Sequence, residues 1–178
     1  MNNMQIKFKK THPNAILPKQ GKLGDAGFDL FCVEDFQLRP GERQLVSTGL
    51  QLADMPTGIF GSHFSFFLQI EGRSGLAAKG VIPLGGIIDA TYRGEIKVIL
   101  QNLNQERQFN TSFLMETMQA ENDRKTVSFK AGDRIAQLLI RVIVTSDGRD
   151  LAGDVEMLEA DDVTETARGD AGFGSTGQ

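Results

Sequence analysis

The stretch Gly85-Gly86-Ile87-Ile88-Asp89-Ala90-Thr91-Tyr92-Arg93-Gly94, with the run Ile96-Lys97-Val98-Ile99-Leu100-Gln101-Asn102-Leu103 behind it, decides the fold class. Two short apolar runs flank a turn marked by glycine and Asp89, and the second, interrupted by Lys97 and Gln101, has a period near two, that of a strand. The same rhythm recurs outward at Met4–Lys9, Gly27–Val33, Gln44–Leu52, Ile59–Ile70, Thr126–Phe129, Ile135–Val144 and Val155–Leu158. Turn residues separate these runs at Lys22-Leu23-Gly24-Asp25, Arg39-Pro40-Gly41, Met55-Pro56-Thr57-Gly58, Lys130-Ala131-Gly132-Asp133 and Asp147-Gly148. Short strands broken by frequent turns predict one all-β domain, a sandwich, jelly roll or barrel. Only Ser74–Lys79 reads as helix.

Three stretches break the rhythm. Ile59–Glu71 is long and aromatic, with Phe60, Phe64, Phe66 and Phe67. Asn104–Lys125 is polar and charged around one apolar patch, Phe113-Leu114-Met115, and reads as an inserted loop or hairpin. Arg168–Gln178 has four glycines in eleven residues and little to bury, so it reads as a flexible arm. The predicted organisation is a β domain over 1–167, with the insertion at 104–125, followed by the arm at 168–178.

Composition narrows the functional classes. The chain has 178 residues, 40% hydrophobic and 24% charged, which suits one globular domain. Its net charge of −4 argues against stable binding to nucleic acid, which needs a basic face. Cys32 is the single cysteine, so neither an intrachain disulfide nor a thiolate zinc site can form. His12 and His63 read as solvent-exposed histidines. No apolar run at the N-terminus is long enough for a signal peptide or membrane span. A cytoplasmic protein without membrane contact is therefore expected, a reading compatible with a nuclear or viral setting.

Four clusters have chemical potential. In Gly72-Arg73-Ser74-Gly75-Leu76-Ala77 a cation, a hydroxyl and free backbone N–H groups suit phosphate oxygens; the alternative is a plain helix start. Asp89 and Tyr92, the only tyrosine, share the turn quoted above. In Gly132-Asp133-Arg134-Ile135-Ala136-Gln137-Leu138-Leu139-Ile140, Gln137 interrupts an apolar strand and needs a hydrogen-bonding partner. The tail Arg168-Gly169-Asp170-Ala171-Gly172-Phe173-Gly174-Ser175-Thr176-Gly177 lacks the Gly-Lys-Ser/Thr ending of a Walker loop. A Phe between glycines, with Arg, Ser and Thr beside it, suits a lid over a nucleotide.

These clusters, preceded by Asp25-Ala26-Gly27-Phe28-Asp29-Leu30, resemble the five ordered motifs of the dUTPase family over residues 25–178. The resemblance implies a jelly-roll (β-clip) protomer and a homotrimer whose active sites are shared among subunits. It also implies Mg²⁺-assisted hydrolysis of dUTP to dUMP and pyrophosphate, which limits uracil in DNA and supplies dUMP for thymidylate synthesis. On that resemblance Asp89 activates the water that attacks the α-phosphorus, and the Tyr92 ring packs on the deoxyribose and excludes a 2′-hydroxyl. The backbone of Gly86, Ile87 and Ile88, with Lys97 behind, reads the uracil edge. Arg73, Ser74, Gly75 and Gln137 hold the triphosphate, and Asp29 positions the hydrated Mg²⁺. From the arm, Phe173 stacks on uracil while Arg168, Gly174, Ser175 and Thr176 close over base and phosphates. The chain departs from the family pattern at Gly72 (usually Pro), Thr91 (often acidic) and Ala171 (often Gly).

Two other readings share the fold. A dCTP deaminase resembles this chain in the Arg-Ser and Ile-Asp signatures but needs a glutamate where Ile99 stands. A regulatory binding protein would use 104–125 as its surface for a protein partner.

Overall fold

A computed structural model describes residues 5–55, 64–105, 119 and 123–144. Among the described residues ten strands and the short helix α1 follow in order. They are β1 (Lys7–Lys10), β2 (Phe28–Phe31), β3 (Phe36–Leu38), β4 (Arg43–Asp54), β5 (Phe64–Glu71), α1 (Ser74–Ala77), β6 (Val81–Leu84), β7 (Ile87–Ile88), β8 (Glu95–Asn102), β9 (Val127–Phe129) and β10 (Arg134–Val144). Two four-stranded sheets form, ordered β1-β4-β8-β6 and β2-β10-β5-β7, and β3 pairs with β9 in a small third sheet. Every pairing is antiparallel. The all-β, jelly-roll-like fold expected from the sequence is the fold observed.

The core lies between the inner faces of the sheets. In β8, Ile96, Val98, Leu100 and Asn102 are buried, while Glu95, Lys97, Ile99 and Gln101 turn away from it. Leu30, Leu38, Leu50, Leu52, Leu68 and Ile135 meet them from the other strands. The rings of Phe36 and Phe129 stack 4.4 Å apart across the third sheet and pack it against this core. Burying each such side chain contributes about 1.5–3 kcal/mol, so strand alternation and core formation are one fact seen twice.

The observed strands refine the expected ones. β1 lies at Lys7–Lys10 rather than Met4–Lys9, and β5 is described only from Phe64. Two strands escaped the periodicity. β3 has only three residues. β6 contains Pro83, tolerated because β6 is the edge strand of its sheet. The helix is shorter than Ser74–Lys79, although turn hydrogen bonds continue to Gly80. A second helical turn, at 123–125, falls in the stretch expected to be loop or hairpin. His12 is half-buried rather than exposed, because it packs beside Gly49 and accepts a hydrogen bond from the Asn14 N–H at 3.1 Å. The expected strand Val155–Leu158, His63, most of 104–125 and the whole arm 168–178 lie outside the described residues. Among the described residues no helix is long and apolar enough to cross a membrane.

Candidate active site

The hairpin after β6 builds one half of the site. Gly85 and Gly86 both hold positive φ, 67° and 141°, which turns the chain sharply into β7. Gly86 accepts the Ile70 N–H at 2.8 Å, so a Cβ there would sit 2.7 Å from the Ile70 carbonyl oxygen; only glycine fits. Ile88 then points into the core and Ile87, 72% exposed, points out. Asp89 is left exposed at the head of a turn closed by the Tyr92 N–H on the Asp89 carbonyl at 2.9 Å. Tyr92 curls back to donate its hydroxyl to the Glu95 carbonyl at 3.2 Å, and its ring fills the space a side chain at Gly94 would need. Arg93 donates to the carbonyls of Ala90, at 2.7 Å, and Tyr92, at 2.9 Å, which holds the turn from behind.

Between this hairpin and the outward face of β8 lies a cavity of about 280 Å³ lined by Ile87, Ile88, Asp89, Tyr92, Lys97 and Ile99, among others. Lys97 pairs with Glu95 at 3.3 Å. Glu95 also accepts from the Ser47 hydroxyl and from the Gly49 N–H, where β4 bulges. Burial pushes the Glu95 carboxyl up, but these hydrogen bonds and Lys97 outweigh it and hold it below its ordinary value. Where a deaminase needs its carboxylate, the apolar Ile99 lines the wall.

The second half is polar and cationic. Gln137 on β10 stands opposite Asp29 on β2, and the next residues of β5 deliver Arg73, so three adjacent strands converge. Asp29, its side chain only 13% exposed, accepts from Arg73 Nε at 3.1 Å and from Arg134 Nη1 at 3.3 Å. Arg73 also donates to the Arg134 carbonyl at 3.3 Å. Gln137 donates to the Gly72 carbonyl at a long 3.5 Å and crowds Gly27, where a Cβ would come within 2.5 Å of Gln137 Oε1. Around them lies a cavity of about 490 Å³, lined also by Lys22 and Asp25. Ser74 and Gly75 open α1 beside it, both exposed. No described residue beyond its chain neighbours and its own helix backbone lies within 4 Å of the Cβ position of Gly75.

Each expected site residue in the described part thus falls in one of two groups. Gly86, Ile87, Ile88, Asp89, Tyr92 and Lys97 line the hairpin cavity; Asp29, Arg73 and Gln137 line the cationic one, with Ser74 and Gly75 at its side. The two cavities share no lining residue. Arg168, Phe173, Gly174, Ser175 and Thr176 lie outside the described residues. Sequence reasoning missed Arg134, Lys22 and Arg93 as contributors. Arg134 and Gln137, three apart, should face opposite ways on a regular strand; the register shift between Arg134 and Ala136 turns both to one cavity.

Comparison with known proteins places this arrangement. The sequence model of the dUTPase family matches residues 13–111 and 118–177, and the break falls inside the stretch read as an insertion. The deoxyuridine 5′-triphosphate nucleotidohydrolase of Wolinella succinogenes is 41% identical over 181 residues, covering 100% of this chain and 97% of that protein. A point mutant of the Staphylococcus bacteriophage 80alpha dUTPase, solved with dUpNHpp, superposes with a TM-score of 0.72 at 25% identity, covering 98% and 99% of the two chains. The fold is also that of a phage phi11 dUTPase mutant described for its coordination of a structural Mg(II) ion, with TM-score 0.62, 23% identity, and coverage of 88% and 99%.

Proposed function

The chain belongs to the dUTPase family, and on that premise we propose that it hydrolyses dUTP to dUMP and pyrophosphate. The observation that carries the reading is the pairing of an apolar hairpin cavity holding Asp89 and Tyr92 with a separate cationic cavity holding Arg73, Arg134 and Lys22. The first has the size and apolar lining for a pyrimidine and its sugar. The second has the positive charge for a triphosphate, with Arg73 able to present two donors to one phosphate.

Asp89 takes the proton of a water whose oxygen bonds the α-phosphorus, and the bond to the bridging oxygen breaks as pyrophosphate leaves. Its exposed place at the lip of the hairpin suits a base that meets water from solvent. Tyr92, pinned at both ends of its turn, presents a ring to the sugar, and Lys97 with the Gly86–Ile88 backbone faces the base. Arg73, Ser74, Gly75 and Gln137 receive the phosphates, and the open space at Gly75 lets an oxygen approach the backbone.

Mg²⁺ fits these residues: it commonly takes one or two carboxylates, with water and substrate phosphates completing its shell. Asp29 is the carboxylate that would help hold it, and when bound the ion would offset triphosphate charge. A homotrimer with shared sites is part of the proposal. It is supported by the two cavities having no residue in common and by exposed Leu45 and Ile87 on the hairpin side. On that arrangement the arm, with Phe173 over the base and Arg168, Gly174, Ser175 and Thr176 over the phosphates, closes each site. A cytoplasmic setting fits a substrate drawn from the nucleotide pool.

The test is pyrophosphate release from dUTP, with UTP and dCTP as controls and light scattering for assembly. Selective turnover of dUTP by a trimer is expected; deamination of dCTP, or an active monomer, refutes the corresponding part.

A further inference from the structure

Asn102 is wholly buried, yet all four hydrogen-bonding positions of its amide are used. Its NH₂ group donates to the Leu38 carbonyl at 3.0 Å and the Lys125 carbonyl at 2.9 Å. Its oxygen accepts from the Asn104 N–H at 3.1 Å and from Asn104 Nδ2 at 2.7 Å. Asn104 marks where the chain leaves β8 for the 104–125 stretch, and Lys125 marks where it returns. Lys125 Nζ also donates to the Gln105 carbonyl at 3.2 Å, a second tie across the same neck.

The other hydrogen of the Asn104 amide goes to the Lys79 carbonyl at 2.8 Å, and the Leu103 N–H goes to the Gly80 carbonyl at 2.7 Å. Lys79 and Gly80 are the exit turn of α1, wound on by Lys79 N–H to Leu76 and Gly80 N–H to Ala77. Gly80 holds φ at +81°, and a Cβ there would lie 2.8 Å from Asn104 Nδ2, so the turn and the amide are fitted to each other. At its opposite end α1 begins with Ser74 and Gly75, and only four residues separate the two ends. A shift of the exit turn therefore moves the start of the helix as a body, because a single turn has no interior to absorb it.

We infer that Asn104 is a positioning residue for the phosphate-binding turn: it fixes Ser74 and Gly75 through α1, and Asn102 ties that setting to both ends of the 104–125 stretch. The inference rests on the proposed dUTP reading of the site and adds two residues that touch no substrate. It makes the neck of the stretch a place where that stretch bears on phosphate binding.

The experiment measures, by calorimetry in Mg²⁺, the affinities of dUpNHpp and dUMP for the full chain and for Asn104→Ala, Asn104→Asp and Gly80→Ala. dUMP reads the hairpin cavity with a single phosphate, and the analogue adds the two outer phosphoryl groups. Asn104→Asp keeps the shape but sets a carboxylate against two carbonyl-type oxygens, and Gly80→Ala pushes on the same contact from the other side. The expected result is a loss of about tenfold or more in dUpNHpp affinity in all three, with dUMP within about twofold, the selectivity that loss of two hydrogen bonds at one turn should produce. Equal losses for both ligands mean a general structural role and overturn the inference, as does unchanged binding of both. Should one variant fail to fold, the same comparison on either of the others decides. Failure of the unaltered chain to bind dUpNHpp refutes the dUTP reading itself, a different outcome from binding that the variants leave intact.

Discussion

Asp29→Asn isolates the carboxylate that faces two arginines. Asparagine keeps the shape of the side chain but replaces one oxygen by an NH₂ group, so one of the two contacts, at 3.1 Å to Arg73 or 3.3 Å to Arg134, becomes donor against donor. A hydrogen bond to a charged group contributes about 1.5–3 kcal/mol when it is well shielded. Arg73 and Asp29 are shielded, at 26% and 13% exposure, whereas Arg134 at 52% is half in solvent and its share is discounted. The loss is thus about 2–3 kcal/mol, which for a chain of this size lowers Tm by roughly 4–12 °C. Ligand binding should move in the opposite direction when no metal is present. The cavity lining holds Lys22, Arg73 and Arg134 against Asp25 and Asp29, a formal charge of +1 that the substitution raises to +2. Metal-free dUpNHpp should then bind as well as before or better, by roughly 1 kcal/mol or about fivefold. In Mg²⁺ the order reverses, because the variant has lost the carboxylate that helps hold the ion. Calorimetry with the analogue in EDTA and in Mg²⁺ measures both quantities. An equal gain from Mg²⁺ in the two proteins refutes the metal role of Asp29; weaker metal-free binding shows instead that the arginines need Asp29 to stay aimed at the phosphates.

Asp89→Asn should leave dUpNHpp affinity within a few-fold and cut kcat by about 10²–10⁴, the usual worth of a general base; a kcat close to the original assigns the proton to another group. Tyr92→Ala should raise kcat/KM for UTP relative to dUTP by about tenfold, since an apolar pocket alone discriminates poorly against an added hydroxyl, and an unchanged ratio would move the discrimination to the hairpin backbone. Glu95 is held below its ordinary value of 4.5, so its share of stability is present above that pH and lost as pH falls below it. Denaturation midpoints of Glu95→Gln should accordingly be lower than those of the original chain at neutral pH and fall less steeply in acid; parallel curves contradict the assignment. Gly75→Ala should raise Tm by roughly 1–4 °C, because alanine is the better helix former and no described residue crowds the added methyl, yet weaken dUpNHpp more than dUMP.

The strands legible in the sequence are those long enough for period two to show. β8 buries alternate residues along its length, and β10 is a long run of mostly apolar residues; the sequence marks both to within a residue or so of their observed ends. β3 and β6 were not found, because three residues give no period and a proline argues against a strand unless its edge position is known. The same limit applies to the site. Motif resemblance supplied Asp29, Arg73, Asp89, Tyr92 and Gln137, all of which the fold places in one of the two cavities. It supplied neither the second arginine nor the pairing that occupies Asp29 in the free protein. Those depend on a register shift in β10, and a bulge has no signature in hydrophobic pattern because it is defined by its partner strand.

Glycine makes the distinction between fold and function more sharply. Gly86 is demanded by the chain itself, since its φ of +141° and the Ile70 carbonyl 2.7 Å from its Cβ position leave no other residue. Gly27 is demanded by Gln137, a residue of the site, so there the close contact serves both packing and aim. Gly75 is demanded by none of the described residues: its φ is not in the left-handed region and none of them comes within 4 Å of its Cβ position. Glycine costs about 0.5–1 kcal/mol in a helix relative to alanine, so an unforced glycine in the first turn of α1 points to a neighbour beyond the described residues. In the proposed reaction that neighbour is a phosphate oxygen, and the Asn104 contact at the far end of the same turn keeps the space at Gly75 in place for it.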